Sequence, residues 1–481
     1  MILHRIAAAA AARFGGVPRT FPSVPGSVGK SSFSSSSSRR VIATELNFAR
    51  EKDHDTSYAT ASILAQLKHD RIDFVNLTSA VNSPSFSEDQ TVADIMYHSQ
   101  GPRGSSDVDV AIGAYVWNER EVQGILRRLK MAGFNGRIIL GGPQVSYSGK
   151  GLERLYPDVD IFIRGYAEQA LSSLLRSNEL FPETIDGVHF ARSRDRLTKA
   201  EASLEATPSP YLTGILEPQS FVRWETQRGC PFRCTFCQHR EPAQRHKPQH
   251  FNETRVAREV QWFSKNGVND IAVLDPTFNV GPRYLRTLGA FVENNFEGKI
   301  ALQSRFELCK DDFINTVASL NTNTRRVVLE FGLQTVHENE MRAINRKNNL
   351  SKVREVCEKL LTKQIPFEVS VIYGLPNQTL ESFEQTIDFL LALQVPVIKA
   401  WPLMLLRGTG LDTKRGAFGL VEEHDVDPTS QDPIGRVQGG GISHVVESST
   451  FTRSDWLRMK EIAWALSDTE GKHPAAVLQL L

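Results

Sequence analysis

The chain has 481 residues, 40% apolar and 23% charged, the make-up of an ordinary globular protein long enough for two or three domains. Its net charge of +1 excludes the basic excess by which nucleic-acid and membrane-surface binders usually show themselves. No apolar run approaches the roughly eighteen residues of a membrane helix, and five cysteines are too few for a disulfide framework, so clustered thiols point to metal.

The first segment, 1–40, carries Arg5, Arg13, Arg19, Arg39 and Arg40, a serine run, an alanine run and no acid before Glu45. That composition predicts an organelle transit peptide, mitochondrial rather than plastid, with a plain disordered tail as the bland alternative. Residues 41–191 then alternate short apolar strands with amphipathic helices. "SYATASILAQLKHD" reads as helix and "IDFVNLT" as strand. "DVDVAIGAYVW" is a buried strand, followed by a helix through Val122, Ile125, Leu126 and Leu129 that stops at Gly133. "RIILGG" and "DIFIRG" are further strands. This grammar predicts an α/β open parallel sheet of Rossmann-like type, with ligands beyond the strands' carboxyl ends.

Residues 192–215 are polar with scattered proline and read as a linker. A second series fills 216–411: strands "FVRWETQ", "DIAVLD", "KIALQS", "RVVLEFGLQ", "PFEVSVIYGLP" and "VPVIKAWPLML", with helices between them. Eight such repeats would close a barrel; six predict an incomplete TIM-like (β/α) barrel, open on one side. In the extension 412–481, the stretch up to about Ser443 is expected to be irregular, and "SDWLRMKEIAWALSD" a closing helix capped by Ser454 or Asp455.

Cys230, Cys234 and Cys237 fall within "RGCPFRCTFCQHR", while Cys309 and Cys357 lie far downstream and read as buried thiols. Four thiolates complete a tetrahedral zinc or an iron–sulfur cluster; three on a four-iron cube leave one iron open for chemistry. Gly229 and Pro231 favour a loop over a helix here, just after the first barrel strand. The competing readings are a zinc site completed by His239 and His246, or a redox pair of Cys234 and Cys237.

The spacing Cys230-x3-Cys234-x2-Cys237 with Phe236 before the last cysteine resembles the radical S-adenosylmethionine (SAM) superfamily. "LDPTFN", "LEFGLQT", "YGLPNQTLESF" and "PLMLLRGTGL" resemble later parts of one branch. The resemblance implies a 4Fe–4S cluster on the three cysteines and SAM on the open iron. It also implies a substrate radical chemistry fed by an electron-donor protein of flavodoxin or ferredoxin type. Phe236, Asp275, Asn279, Arg305, Glu330 and Gln334 become candidate SAM contacts.

"AYVWNEREV", "ILGGPQVSYSG" and "IRGYAEQAL" resemble the cobalamin-binding half of cobalamin-dependent members, among them anaerobic magnesium-protoporphyrin cyclase and methyltransferases. By that resemblance Gly141, Gly142, Pro143, Gln144, Val145, Ser146 and Tyr147 lie against the corrin; a bare glycine–proline turn is the bland reading. No Asp-x-His-x-x-Gly motif is present: His54, His69 and His98 lack the context, and Tyr166 replaces the acid usual after "RG", with Glu168 close behind. Trp117 and Trp401 are expected in the core. The implied activity is methyl transfer to an unactivated carbon of a small-molecule substrate, with neither nucleic acid nor membrane as partner. The alternatives are radical cyclisation or rearrangement, or a non-catalytic cobalamin or metal sensor.

Overall fold

The computed structural model describes residues 39–100, 107–177, 185–239, 248–423 and 442–467, so the segment up to residue 38, where a transit peptide is expected, and His246 lie outside the described residues. The first sheet contains β1 (Arg40–Asn47), β2 (Phe74–Ala80), β3 (Val108–Gly113), β4 (Ile138–Gly141), β5 (Ile161–Ile163) and β6 (Val188–Phe190), in the order β2-β1-β3-β4-β5-β6. All neighbours run parallel except β5 and β6. Two apolar clusters pack on its two faces, one around Val110, Ile125 and Leu140, the other around Val41, Leu67 and Leu174. β6 has three residues and the helix Glu88–Ser99 a weak apolar stripe, which is why neither stands out in the sequence.

The second sheet is wholly parallel: β7 (Phe221–Trp224), β8 (Asp270–Val273), β9 (Gly298–Ser304), β10 (Arg325–Gln334), β11 (Phe367–Tyr373) and β12 (Ile398–Pro402). Their order in space is their order in the chain, and the sheet does not close on itself, so β7 and β12 are its edges. This is the open, six-stranded half-barrel that the repeats predict. Parallel sheets are normally buried on both faces, yet β10 and β11 alternate buried and half-exposed residues. The buried set, Val327, Leu329, Phe331 and Leu333, packs under the helices. The other face is an unfilled inner wall, and unfilled space inside a sheet of this kind is room for a ligand.

Three expectations change. The segment 192–215 is no loose tether: Ala202, Leu204 and Tyr211, with Leu216 just beyond, are buried in the barrel's core, and Ala200 bridges to Gly165. Its polar residues hide how firmly a few apolar anchors hold it. The stretch after residue 411 is partly ordered: Val421–Glu423 pairs antiparallel with His444–Glu447, while 424–441 lies outside the described residues. The closing helix, Arg453–Ser467, is capped by Thr452, whose Oγ1 accepts from the Asp455 amide at 3.2 Å while Asp455 Oδ2 accepts from the Thr452 amide at 2.8 Å. Asp455 is therefore the reciprocal partner of the cap. Among the described residues no helix is long and apolar enough to cross a membrane. Thr452→Ala should cost about 1 kcal/mol, seen as a roughly fivefold faster amide exchange over the first turn of that helix and little change elsewhere.

Candidate functional site

The cysteine loop leaves the carboxyl end of β7. Its base is closed where Gln227–Arg228 pairs antiparallel with Gln249–His250, and Gly229 turns at φ 88°, a torsion that favours glycine. Thr235 is pinned from two sides. Its amide and hydroxyl donate to the carbonyls of Ile344 (2.9 Å) and Ala343 (3.2 Å), and its carbonyl accepts from the Leu411 amide at 2.9 Å. Cys234 is buried, Cys230 and Cys237 half-buried. The Arg346 guanidinium lies 3.7 Å from Cys234 Sγ, and the His239 amide donates to Cys237 Sγ at 3.4 Å.

Burial pushes the Cys237 thiol up to about 11, and the nearby Cys234 and Cys230 add to the shift. Three thiols gathered in one short loop are ready donors to a cationic centre. The donor set therefore fits a cluster with three protein sulfurs. Among the described residues no three acid, His or Cys side chains converge as a ready cage for a single ion; a multi-iron cube asks for more widely spaced ligands than one ion does.

Arg228, two residues before Cys230, is the buried anchor of the loop. Its guanidinium meets Glu168 at 2.7 Å and Glu225 at 3.0 Å, and lies over the Tyr166 ring. Glu168 belongs to the first domain, where Ser62 also donates to it. Burial pushes Glu168 up, but the Arg228 pair and the hydrogen bonds outweigh it, leaving its carboxyl below the usual range. Glu225 is raised, by burial first. Tyr166 and Glu168, the departure from the familiar acid, are thus a clamp between domains.

The resemblance casts Asp275, Asn279 and Arg305 as SAM contacts; in the structure each also braces its neighbours. Asp275 is fully buried and accepts from the amides of Thr226 (2.7 Å) and Gln227 (3.1 Å) and from the Thr226 hydroxyl, holding the strand that leads to the cysteines. Asn279 exchanges bonds with the Arg305 backbone in both directions at 3.0 Å. Arg305 pairs with Glu307 at 2.8 Å and stacks on Phe232 of the cysteine loop at 3.7 Å.

The other three candidates are half-buried and available. Phe236 packs against the barrel core beside its cysteine. Gln334 ends β10 after a bulge, at φ 74°, with its Oε1 buried and without a partner. The strained torsion and the unsatisfied amide oxygen lie beside the Arg346–Gly332 contact. Glu330 sits on the inner wall opposite Glu368, which Lys399 neutralises at 2.6 Å. Burial, then Glu368, raises the Glu330 carboxyl. Trp401, expected in the core, is 38% exposed: its position in the alternation of β12 faces the same unfilled side.

A cavity of about 440 Å³ lies where the first sheet's carboxyl ends meet the two edge strands of the half-barrel. Asn47, Tyr115, Trp117 and Pro143 come from the first domain, Phe221 and Arg223 from β7, Met404 and Leu406 from beyond β12, and Gln238 from the cysteine loop. Tyr115 and Trp117 stack at 4.4 Å, and Trp117 Nε1 is buried without a partner. Trp117 is cavity wall, not core. That orphaned donor in a roomy, largely aromatic wall fits a bound cofactor with acceptor groups at its rim. His54 also lines the cavity; its Nδ1 accepts from the Thr56 amide at 3.2 Å and burial lowers its pKa, which keeps the ring neutral.

The residues of the glycine loop have different surroundings. Of Gly141 to Tyr147, only Pro143 lines the cavity. Gly142 turns at φ 91°, where a Cβ would stand 2.6 Å from the Ala114 carbonyl. Val145 is core, and Ser146 Oγ accepts from the Gly165 amide at 2.9 Å. The Tyr147 side chain reaches the barrel domain, while the Gln144 side chain stays on Glu119 of its own domain and only its carbonyl meets Arg407. Gln144 Nε2 donates to Glu119 at 2.5 Å, and Glu119 takes Arg407 at 2.9 and 3.0 Å and the Tyr156 hydroxyl at 2.5 Å. The Tyr147 hydroxyl donates to the Gln238 carbonyl, whose side chain donates to the Arg407 carbonyl at 2.9 Å. This latch ends one residue from Cys237.

Residues 224–390 match the model of the radical SAM superfamily. They form a radical SAM domain. The chain is 28% identical over 304 residues to the cobalamin-dependent radical SAM methyltransferase TokK of Streptomyces tokunonensis, covering 59% of this chain and 44% of that one. It is 26% identical over 389 residues to 2-(S-pantetheinyl)-carbapenam-3-carboxylate methyltransferase of Streptantibioticus cattleyicolor, covering 74% and 56%. The chain thus spans about half the length of these curated relatives. The radical SAM methyltransferase TsrM of Kitasatospora setae, solved with tryptophan and a SAM analogue, superposes with a TM-score of 0.67 at 15% identity over 90% of this chain and 91% of that one. TsrM has also been solved with cobalamin and a [4Fe–4S] cluster bound. The likeness extends the fold match across both domains.

Two outcomes follow from this geometry. Arg407→Gln should remove charge-assisted bonds across the domain boundary, costing about 2 kcal/mol locally, read as a roughly thirtyfold loss of exchange protection over 143–148 and 404–408. Asp275 carries a carboxyl raised by burial to about 7, above its unfolded value of roughly 3.9. The folded state holds the extra proton between those values, so this residue's contribution to stability is present at low pH and lost as pH rises toward 7. Denaturant midpoints at pH 5, 6 and 7 should fall less steeply for Asp275→Asn, which keeps the shape, than for the native chain.

Proposed function

We propose that the chain is a cobalamin-dependent radical SAM enzyme that transfers a methyl group to an unactivated carbon of a small molecule. The observation that carries this reading is the shared cavity. Its wall joins Gln238, next to Cys237, to Tyr115 and Trp117 at the carboxyl edge of the first sheet. A cofactor in the first domain and the chemistry of the cysteine loop therefore face one space.

When bound, the cluster and SAM supply the radical, and the corrinoid supplies the methyl group. The chain's own part is holding and shielding. Cys230, Cys234 and Cys237 are the ligands of three irons, with Arg346 beside Cys234 countering sulfur charge. Gln334 offers its orphaned amide oxygen to SAM, and Phe236 and Glu330 flank the same inner side. Tyr115, Trp117 and Pro143 form the corrin wall. The apolar cavity keeps out water that would quench a radical.

Support for methyl transfer over cyclisation comes from the two methyltransferases to which the chain is similar. A reductant protein of flavodoxin or ferredoxin type supplies the electron. The arginine- and serine-rich segment 1–40 supports delivery to the mitochondrion, testable by import of a fluorescent fusion.

Anaerobic reconstitution with iron and sulfide, followed by reduction with SAM present, should yield 5′-deoxyadenosine, and added cobalamin should leave a corrin absorption band on the purified chain. Cys234→Ala should lose both cluster absorption and SAM cleavage. A fully loaded cluster without 5′-deoxyadenosine would overturn the reading.

A further inference from the structure

The radical reading needs an electron delivered to the cysteine loop from outside, and the structure shows a charged surface beside it. Two segments are hydrogen-bonded to that loop. One is 342–347: Ala343 and Ile344 hold Thr235, and Asn345 Nδ2 donates to the Arg233 carbonyl at 2.7 Å. The other is 410–414, where the Leu411 amide binds the Thr235 carbonyl at 2.9 Å. Around these contacts Arg233, Arg342, Lys347 and Lys414 are all exposed, and none forms an ion pair or side-chain hydrogen bond with a described residue.

The neighbouring acids are largely engaged. Glu307 pairs with Arg305, Asp412 with Arg415, and Glu340 is buried against Thr335 and Ser382. Glu338 stands exposed one turn from Arg342 without bridging to it. In a chain of net charge +1, four uncompensated cations gathered around one loop are a local field, and such fields steer partners of opposite sign.

We infer that this rim, Arg233, Arg342, Lys347 and Lys414, is the docking surface for an acidic one-electron carrier protein, a deepening that rests on the proposed function above. One electron leaves the carrier's reduced flavin, which is left one electron more oxidised, and enters the cluster held by the three cysteines. The cavity lies on the route from Gln238 into the first domain and is lined by none of the four cations. Encounters of this type are small, weak and salt-sensitive, which separates them from tight permanent interfaces.

The test uses the full chain with its cluster loaded and flavodoxin hydroquinone as the probe. Cluster reduction is followed by stopped-flow absorbance, and affinity by calorimetry with oxidised flavodoxin. In the native chain the reduction rate should fall steeply between low and 0.5 M salt. The double variant R342E/K347E should lose at least tenfold in both rate and affinity, while its reduction by dithionite, which needs no docking, stays unchanged. The neutral pair R342Q/K347Q should lie between, guarding against a folding effect of charge reversal. Flavodoxin reduction at the native rate in R342E/K347E, with its salt dependence intact, would overturn the docking surface. A chain that takes up no cluster shows no iron–sulfur absorption before any donor is added, and that result strikes the radical reading rather than the rim.

Discussion

The arrangement depends on one buried ion triad. Arg228 stands two residues before the first cysteine and shares its guanidinium between Glu225 of its own strand extension and Glu168 of the other domain. Taking three charges out of water is costly, and a buried pair is weak evidence of net stability. What it gives is uniqueness: removing one partner would leave an uncompensated buried charge, at a cost of about 3–5 kcal/mol. The cysteine loop is therefore fixed relative to the first domain before any cofactor arrives. A second tie, Arg407 on Glu119, fixes the far side of the loop through Gln238. The two domains hold one geometry because the residues that join them flank the residues that do the chemistry.

The inner wall of the half-barrel is the complement of that constraint. Strand β10 buries one face under helices and leaves the other half-open, so the sheet stays stable on one-sided packing and keeps its interior for ligands. Asp275 and Asn279 show how the upper rim is kept in place. Each fixes backbone groups that would otherwise lack partners. Gln334 does the opposite, holding a strained torsion with an unused acceptor.

Much of this is legible in the sequence, for identifiable reasons. The six strand–helix repeats have strong periodicities, so the half-barrel and its open side follow from counting. Three cysteines in eight residues need no tertiary information. The cavity wall does need it: Tyr115 and Trp117 look like strand residues, but β3 ends at Gly113 and the chain turns them toward the cavity. The glycine loop needs it for the same reason. Its conformation is what the motif suggests, but after the α-helical turn 143–146 the Tyr147 hydroxyl reaches Gln238 of the neighbouring domain, while Gln144 bonds Glu119 of its own. Asp275 and Arg305 are polar at strand ends, where ligand contacts and structural struts have the same local pattern; only burial tells them apart.

A closed eight-stranded barrel can be cut free of its neighbours because every strand finds a partner within it. Here the first and last strands, β7 and β12, have none on their outer sides, and the other domain stands across the gap they leave. The missing staves are thus replaced by a foreign lid whose shape belongs to a different fold. The size and outline of what enters are then set by a seam between two surfaces, one from each domain, and the loops on either side shape it while the strands of the half-barrel stay as they are.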